Sequence, residues 1–134
     1  MALTLGQKQE IFAGLLPQLI TRAYELGFRV RLKELLRAPE QAEYNATHCG
    51  RCKKELVFHA SMDHEFRAIG IRNSLHCSGL ALDLVLFRDG KPLWASRHYH
   101  DLGEYWESLR PELCCWGGRF GDGMHFSITH GGRK

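Results

Sequence analysis

Two short segments hold the residue types of this chain best suited to chemistry. Ser74-Leu75-His76-Cys77-Ser78-Gly79-Leu80-Ala81-Leu82-Asp83 is answered near the C-terminus by Asp122-Gly123-Met124-His125-Phe126-Ser127. Together they offer two imidazoles and a carboxylate able to hold a zinc ion with its fourth position open. A second carboxylate, Asp122, is available to take a proton from water at that position. This is the inventory that a zinc hydrolase requires. Eight histidines in the chain guarantee some chance pairings with acids, and a single His or buried Asp is more often hydrogen-bonded structure than a ligand. The argument therefore rests on the set.

These residues need elements to position them. Leu80 to Phe87 reads as a strand closed by the turn pair Asp89-Gly90, with Asp83 inside it. A period of two places Asp83 on a face with Ala81 and Val85, while Leu80, Leu82, Leu84 and Leu86 point the other way into the core. An ionised carboxylate in so apolar a run needs a compensating partner, and a cation is the simplest one. Gly79 lets the backbone turn ahead of the strand, which brings His76 over the same face. His125 to Thr129 reads as a second short strand, with Phe126 and Ile128 alternating away from His125 and Ser127. Side by side, the two strands would make His76, Asp83 and His125 converge.

The same segments resemble the zinc peptidases that include bacterial D-alanyl-D-alanine carboxypeptidases and dipeptidases, and especially the small phage endolysins that cut the L-alanyl-D-glutamate bond of peptidoglycan. The family pattern of Ser-x-His, Gly, Ala and Asp, then an acid three residues before a final His, falls on Ser74, His76, Gly79, Ala81, Asp83, Asp122 and His125. Arg37-Ala38-Pro39-Glu40-Gln41, Leu102-Gly103-Glu104-Tyr105-Trp106 and Trp116-Gly117-Gly118-Arg119-Phe120 extend the phage-like resemblance, which spans Phe28 to Ser127. The resemblance implies a hedgehog/DD-peptidase type of α+β fold and one catalytic Zn2+ on His76, Asp83 and His125. It implies Asp122 as general base and Arg37 as the group that stabilises the oxyanion or grips a substrate carboxylate. Ser74, His98 and His100 are candidates for supporting roles around the metal. The implied partner is bacterial peptidoglycan, attacked by a monomer. A D-Ala-D-Ala carboxypeptidase and a non-catalytic zinc-binding domain are the alternatives. Trp116 and Phe120 are candidates to line an open substrate groove, or else to be core.

Length and composition predict one catalytic domain over residues 1–134, with no separate wall-binding module. No apolar run approaches the roughly 18 residues of a membrane span, and no secretory leader is legible at the start. An endolysin of this kind is expected to wait in the cytoplasm of the infected host until a holin admits it to the wall. The balance of 18 Lys plus Arg against 15 Asp plus Glu gives a net charge of +3, which favours approach to an anionic envelope. Arg29, Arg31, Lys33 and Arg37 lack the aromatic interleaving of nucleic-acid readers, so a solvated face is the expectation there.

Thr4 and Gln7 predict a capping box for a first helix, whose apolar face runs from Ile11 to Tyr24 and stops at Gly27; Pro17 should kink or divide it. Phe28 to Lys33 reads as a half-buried strand, Pro39 to Asn45 as a short helix, Lys91 to Trp94 as the hairpin partner after Asp89-Gly90, and Leu102 to Leu109 as a helix. The fold class is α+β, with helices packed on a small antiparallel sheet. His48 to Arg72 fits no part of the family pattern and reads as irregular, with a short strand at Leu56 to His59. It contains Cys49-x-x-Cys52, flanked by His48 and His59, which is half of a structural zinc site. Completing it would take two of His48, His59, Cys77, Cys114 and Cys115. A lone C-x-x-C is weak evidence, and by itself it favours ordinary reduced thiols among the five cysteines of a chain without a disulfide framework.

Overall fold

The computed structural model describes residues 2–70 and 74–134. Ile71 and Arg72, at the end of the segment expected to be irregular, lie outside the described residues.

The chain opens with α1 (Leu5–Glu25), whose N-terminal donors are met by the reciprocal Thr4–Gln7 capping box. Phe12, Leu19 and Ala23 form its buried stripe, and Gly27, at φ +91°, turns the chain out of the helix. Pro17 does not divide α1. It sits on the exposed side together with Ala13, whose carbonyl it leaves without an amide partner, so solvent can take that hydrogen bond.

Strand β1 (Arg29–Glu34) follows, then α2 (Pro39–Thr47), two residues longer than the sequence suggests. The central strand β2 (Ala81–Arg88) turns at Asp89-Gly90, both at positive φ, into β3 (Lys91–Leu93). Next come α3 (His100–Leu109), β4 (Cys114–Trp116) and β5 (His125–Ile128). All strand pairings are antiparallel. The order is β1-β2-β5-β4, with β3 also on β2. One edge of β2 is taken by β1; the other is shared by β5 near its start and β3 near its end.

The core lies between the sheet and the helices. Leu80, Leu82, Leu84 and Leu86 meet Phe12 and Leu19 of α1, Trp106 of α3, and Phe126 and Ile128 of β5. Trp106 is fully buried, and its indole N–H donates to the Ser127 carbonyl, which ties α3 to β5 at 3.1 Å. Ala81 and Val85 are buried as well, so β2 is covered on both faces. Leu32 departs from the half-buried reading of β1 and is 60% exposed, at a bulge between Leu32 and Glu34.

The expected strand at Leu56 to His59 is instead a 3-10 helix over Leu56–Ser61. Leu56, Val57 and Phe58 are all exposed, and with no neighbouring strand to pair with, the Phe58 amide closes a local bond to the Glu55 carbonyl. The surrounding segment is held by isolated bridges, His48 with Glu55 and Cys49 with Ala68, rather than by a ladder.

Candidate metal centre and cleft

Asp83 and His125 are direct cross-strand partners in the β2–β5 register. Opposed residues of an antiparallel pair project from the same face with their side chains adjacent, and His125 Nδ1 lies 3.2 Å from Asp83 Oδ1. His76 arrives from the single-turn 3-10 helix Leu75–Ser78, which Ser74 caps by accepting the His76 amide at 3.1 Å. Gly79, at φ +66°, then turns the chain into β2. His76 Nε2 ends 3.4 Å from the same Asp83 Oδ1.

The donor set fits a divalent cation. Zinc bonds of about 2.0–2.2 Å to nitrogen and oxygen, set tetrahedrally, place ligand atoms about 3.3–3.5 Å apart, close to the two distances observed. The His76 Nδ1 faces the Leu35 carbonyl at 3.4 Å. Donation of a proton there would leave Nε2 free to bind a cation, which would take the place of the proton that Nε2 otherwise shares with Asp83. His125 Nδ1, the ring nitrogen that faces Asp83, is the atom placed to ligate, while its Nε2 is buried without a hydrogen-bond partner among the described residues. Among the described residues, no fourth His, Cys, Asp or Glu joins the three. Burial opposes ionisation of Asp83, but the hydrogen bonds of His125 and His76 outweigh it and hold the carboxyl well below its usual range.

The three residues open into a cleft of 430 Å³ that also contains Asp122, Glu34, Arg37 and Phe120. Asp122 is carried by the turn before β5, where its carbonyl accepts the His125 amide at 3.2 Å and its own amide donates to the Gly117 carbonyl at 2.8 Å. Burial first, and then the negative charge of Asp83, raise its carboxyl above the usual value, the direction that suits a proton acceptor working near neutral pH. Arg37 forms a two-point ion pair with Glu34, at 2.7 and 2.8 Å, and its amide donates to the His76 carbonyl. Glu34, opposite Asp83 at the β1 bulge, is a cleft carboxylate the sequence reading did not single out; its hydrogen bonds from Arg37 lower its pKa. The apolar strand pattern gave no sign of the bulge that turns it inward.

Other candidates stand elsewhere. His98 and His100 do not line the cleft. His100 is exposed at the start of α3, beside Asp101 and Glu104, and His98 belongs to the 3-10 helix Ser96–Tyr99. Trp116 is core rather than groove: it is 4% exposed, and its indole N–H donates to the Gly123 carbonyl at 2.8 Å. Gly103 and Gly118 are the clearance for its ring, since a Cβ at either would lie 2.1 Å from it. The glycines therefore serve packing, and Trp116 pins the loop that carries Asp122. Phe120 remains 54% exposed at the cleft.

A second cluster forms in the irregular segment. Cys49, Cys52 and His59 come together as the sequence allowed, but His48 does not join them. Its ring stacks on Tyr44 and its Nδ1 faces the Tyr44 carbonyl at 2.9 Å, because it caps the end of α2. The fourth member is His64. Cys77, Cys114 and Cys115 are not in the group. His59 and His64 are separated by four residues, the spacing of a zinc-binding histidine pair, and that was the available signal. Backbone N–H groups of Arg67 and Cys52 lower the Cys49 thiol to about 5.

Comparison with known proteins bears on the first centre. Residues 69–128 match the family model described as D-alanyl-D-alanine carboxypeptidase. The matched stretch contains His76, Asp83, Asp122 and His125, while Arg37 and the cysteine segment up to His64 precede it. Among solved structures, the chain is similar to the crystal structure of the Serratia marcescens L-Ala D-Glu endopeptidase ChiX. The TM-score is 0.50 and the identity 21%, over 84% of this chain and 79% of that one. This likeness establishes the carboxypeptidase-like α+β fold. No curated protein matches the chain.

Proposed function

We propose that this chain is a zinc-dependent peptidoglycan endopeptidase of the endolysin type, which hydrolyses the L-alanyl-D-glutamate bond of the stem peptide during host lysis. The observation that carries the proposal is the pairing of Asp83 with His125 across β2 and β5, with His76 closing a three-ligand centre at the floor of a cleft that also holds Asp122. A structural zinc is usually closed by four protein ligands; three ligands beside an open cleft leave a position for water or substrate.

His76, Asp83 and His125 would hold a zinc ion, which when bound would supply Lewis-acid polarisation of the scissile carbonyl and acidify the attacking water. Asp122 takes the proton from that water and returns it to the leaving amine. Ser74 fixes the backbone that presents His76. Arg37 holds the cleft wall through Glu34 and offers its remaining guanidinium nitrogen, on the side facing Gly70, to the oxyanion or to a substrate carboxylate. Phe120 gives the cleft an apolar lip. The choice of bond is supported by the activity printed for the fold neighbour from Serratia marcescens and by the phage-like sequence segments. Such an enzyme would act on the wall from the periplasmic side after release from the host cytoplasm, as a monomer.

The family description favours a second reading, removal of a terminal D-alanine. Mass spectrometry of digested peptidoglycan separates the two. The endopeptidase releases peptides that begin with D-glutamate and leaves L-alanine on the glycan. Release of D-alanine alone, from stem peptides otherwise intact, would replace the proposal with the carboxypeptidase. No product at all from the zinc-loaded protein would support a binding domain.

A further inference from the structure

We propose that Cys49, Cys52, His59 and His64 hold a second zinc ion, structural and closed by four protein ligands, which fastens residues 48–70 against the wall of the catalytic cleft. The four ligand atoms lie within 4.8 Å of one another. Two of their separations are given directly: His59 Nε2 to His64 Nε2 is 3.3 Å, and Cys49 Sγ to His64 Nε2 is 3.5 Å. In a tetrahedral zinc site, bonds of about 2.0–2.1 Å to nitrogen and about 2.3 Å to sulfur set the ligands about 3.3 Å apart for two nitrogens and about 3.5 Å for nitrogen and sulfur. These two separations match those of a coordination shell.

The protonation pattern points the same way. His64 Nδ1 faces the Asp63 carboxylate at 3.0 Å, and a proton shared there leaves Nε2 with a lone pair. That one lone pair confronts both the His59 nitrogen and the Cys49 sulfur. A single hydrogen bond satisfies at most one of these contacts, whereas a cation at the centre satisfies all of them. A carboxylate on the far nitrogen of a ligating histidine is the arrangement that fixes its tautomer and strengthens it as a donor. The ligand set is also the one zinc prefers over magnesium or calcium, with two soft sulfurs and two imidazoles.

The backbone around the cysteines is already shaped as a turn about a centre. Cys49 receives the Lys53 amide on its carbonyl at 2.8 Å and donates its own amide to Lys54 at 2.9 Å, with Lys53 at φ +64°. Beyond the ligands, Gly50 bonds to Arg67, Ile69 to His48 and Gly70 to Asn45. Ile69, Gly70 and Asn45 line the catalytic cleft. The metal therefore closes a loop whose outgoing end, at Ile69 and Gly70, is one side of the cleft that Arg37 also lines.

Cobalt substitution tests this on the full chain, because only a thiolate-ligated cobalt gives a sulfur-to-metal charge-transfer band and the His76–Asp83–His125 centre has no sulfur. The expected result is two cobalt ions per chain with the band present. The band should survive in Asp83→Ala and His48→Ala, with the metal count of Asp83→Ala falling to one. It should vanish in the Cys49→Ser/Cys52→Ser variant, and His64→Ala should weaken and shift it. A wild-type chain that loads cobalt without the band overturns the proposal, whether or not the double variant folds. So does a band that persists without both cysteines. Failure of Asp83→Ala to lose metal would count against the catalytic centre alone.

Discussion

His76, Asp83 and His125 are carried by the central strand of the sheet, the strand beside it and the capped turn that feeds it. Cys49, Cys52, His59 and His64 are carried by a stretch with a single 3-10 helix and two isolated bridges. At the first centre the ligands meet because strand pairing and the core place them, and β2 would hold Asp83 opposite His125 with or without an ion. At the second, little apolar burial supports the segment, and Leu56, Val57 and Phe58 face solvent. There an ion held by the four residues would supply the organisation. The first centre would hold its ion with three side chains at the floor of a cleft, the second with four. The difference would be that between a metal bound by a fold and a fold made by a metal.

The largest effect expected from breaking this contrast is on catalysis. Asp83→Ala removes a ligand and the zinc with it, and because the acidification of water by zinc spans about nine pKa units, activity on purified peptidoglycan should fall by more than about a thousandfold. The melting temperature should stay near wild type, since the strand pairing and leucine face of β2 remain. An active Asp83→Ala enzyme would mean that the centre is not catalytic.

Asp122→Asn sharpens the assignment within the first centre. It keeps shape and removes the proton acceptor, so the rate should drop by about a hundredfold to ten-thousandfold while the zinc content is unchanged. Loss of zinc would make Asp122 a ligand instead, and an unchanged rate would assign the base elsewhere.

The smallest effect is also the most local. Stripping all metal with a strong chelator should raise amide hydrogen exchange across residues 49–69 and leave Leu82 to Leu86 protected, because the first region depends on coordination and the second on the core. Equal protection in both regions before and after chelation would show that the cysteine segment stands without an ion.

Much of this could be read from the chain. Alternating leucines around Asp83 set strand and face together, and the Asp89-Gly90 pair set the hairpin, because both are local consequences of backbone geometry. The Asp122–His125 spacing placed an acid and a ligand on one turn. Other features were not legible, for specific reasons. Glu34 reaches the cleft through a bulge, which no periodicity announces. Trp116 could line a groove or belong to the core on sequence alone, and only packing shows that its indole fills the space beside Gly103 and Gly118. His48 adjoins Cys49 in sequence, but the end of α2 claims it and the fold supplies His64 instead.

The sequence by itself determined the kinds of candidate ligand and the strands that carry two of them, Asp83 and His125, because side-chain chemistry and alternation are properties of short stretches. Which histidine completes the second cluster was decided only by the tertiary structure, as was the convergence of Arg37, Glu34 and Asp122 on the cleft. These depend on contacts between distant parts of the chain. They come from strand register, a helix end and the filling of the core around Trp116, none of which a local pattern encodes.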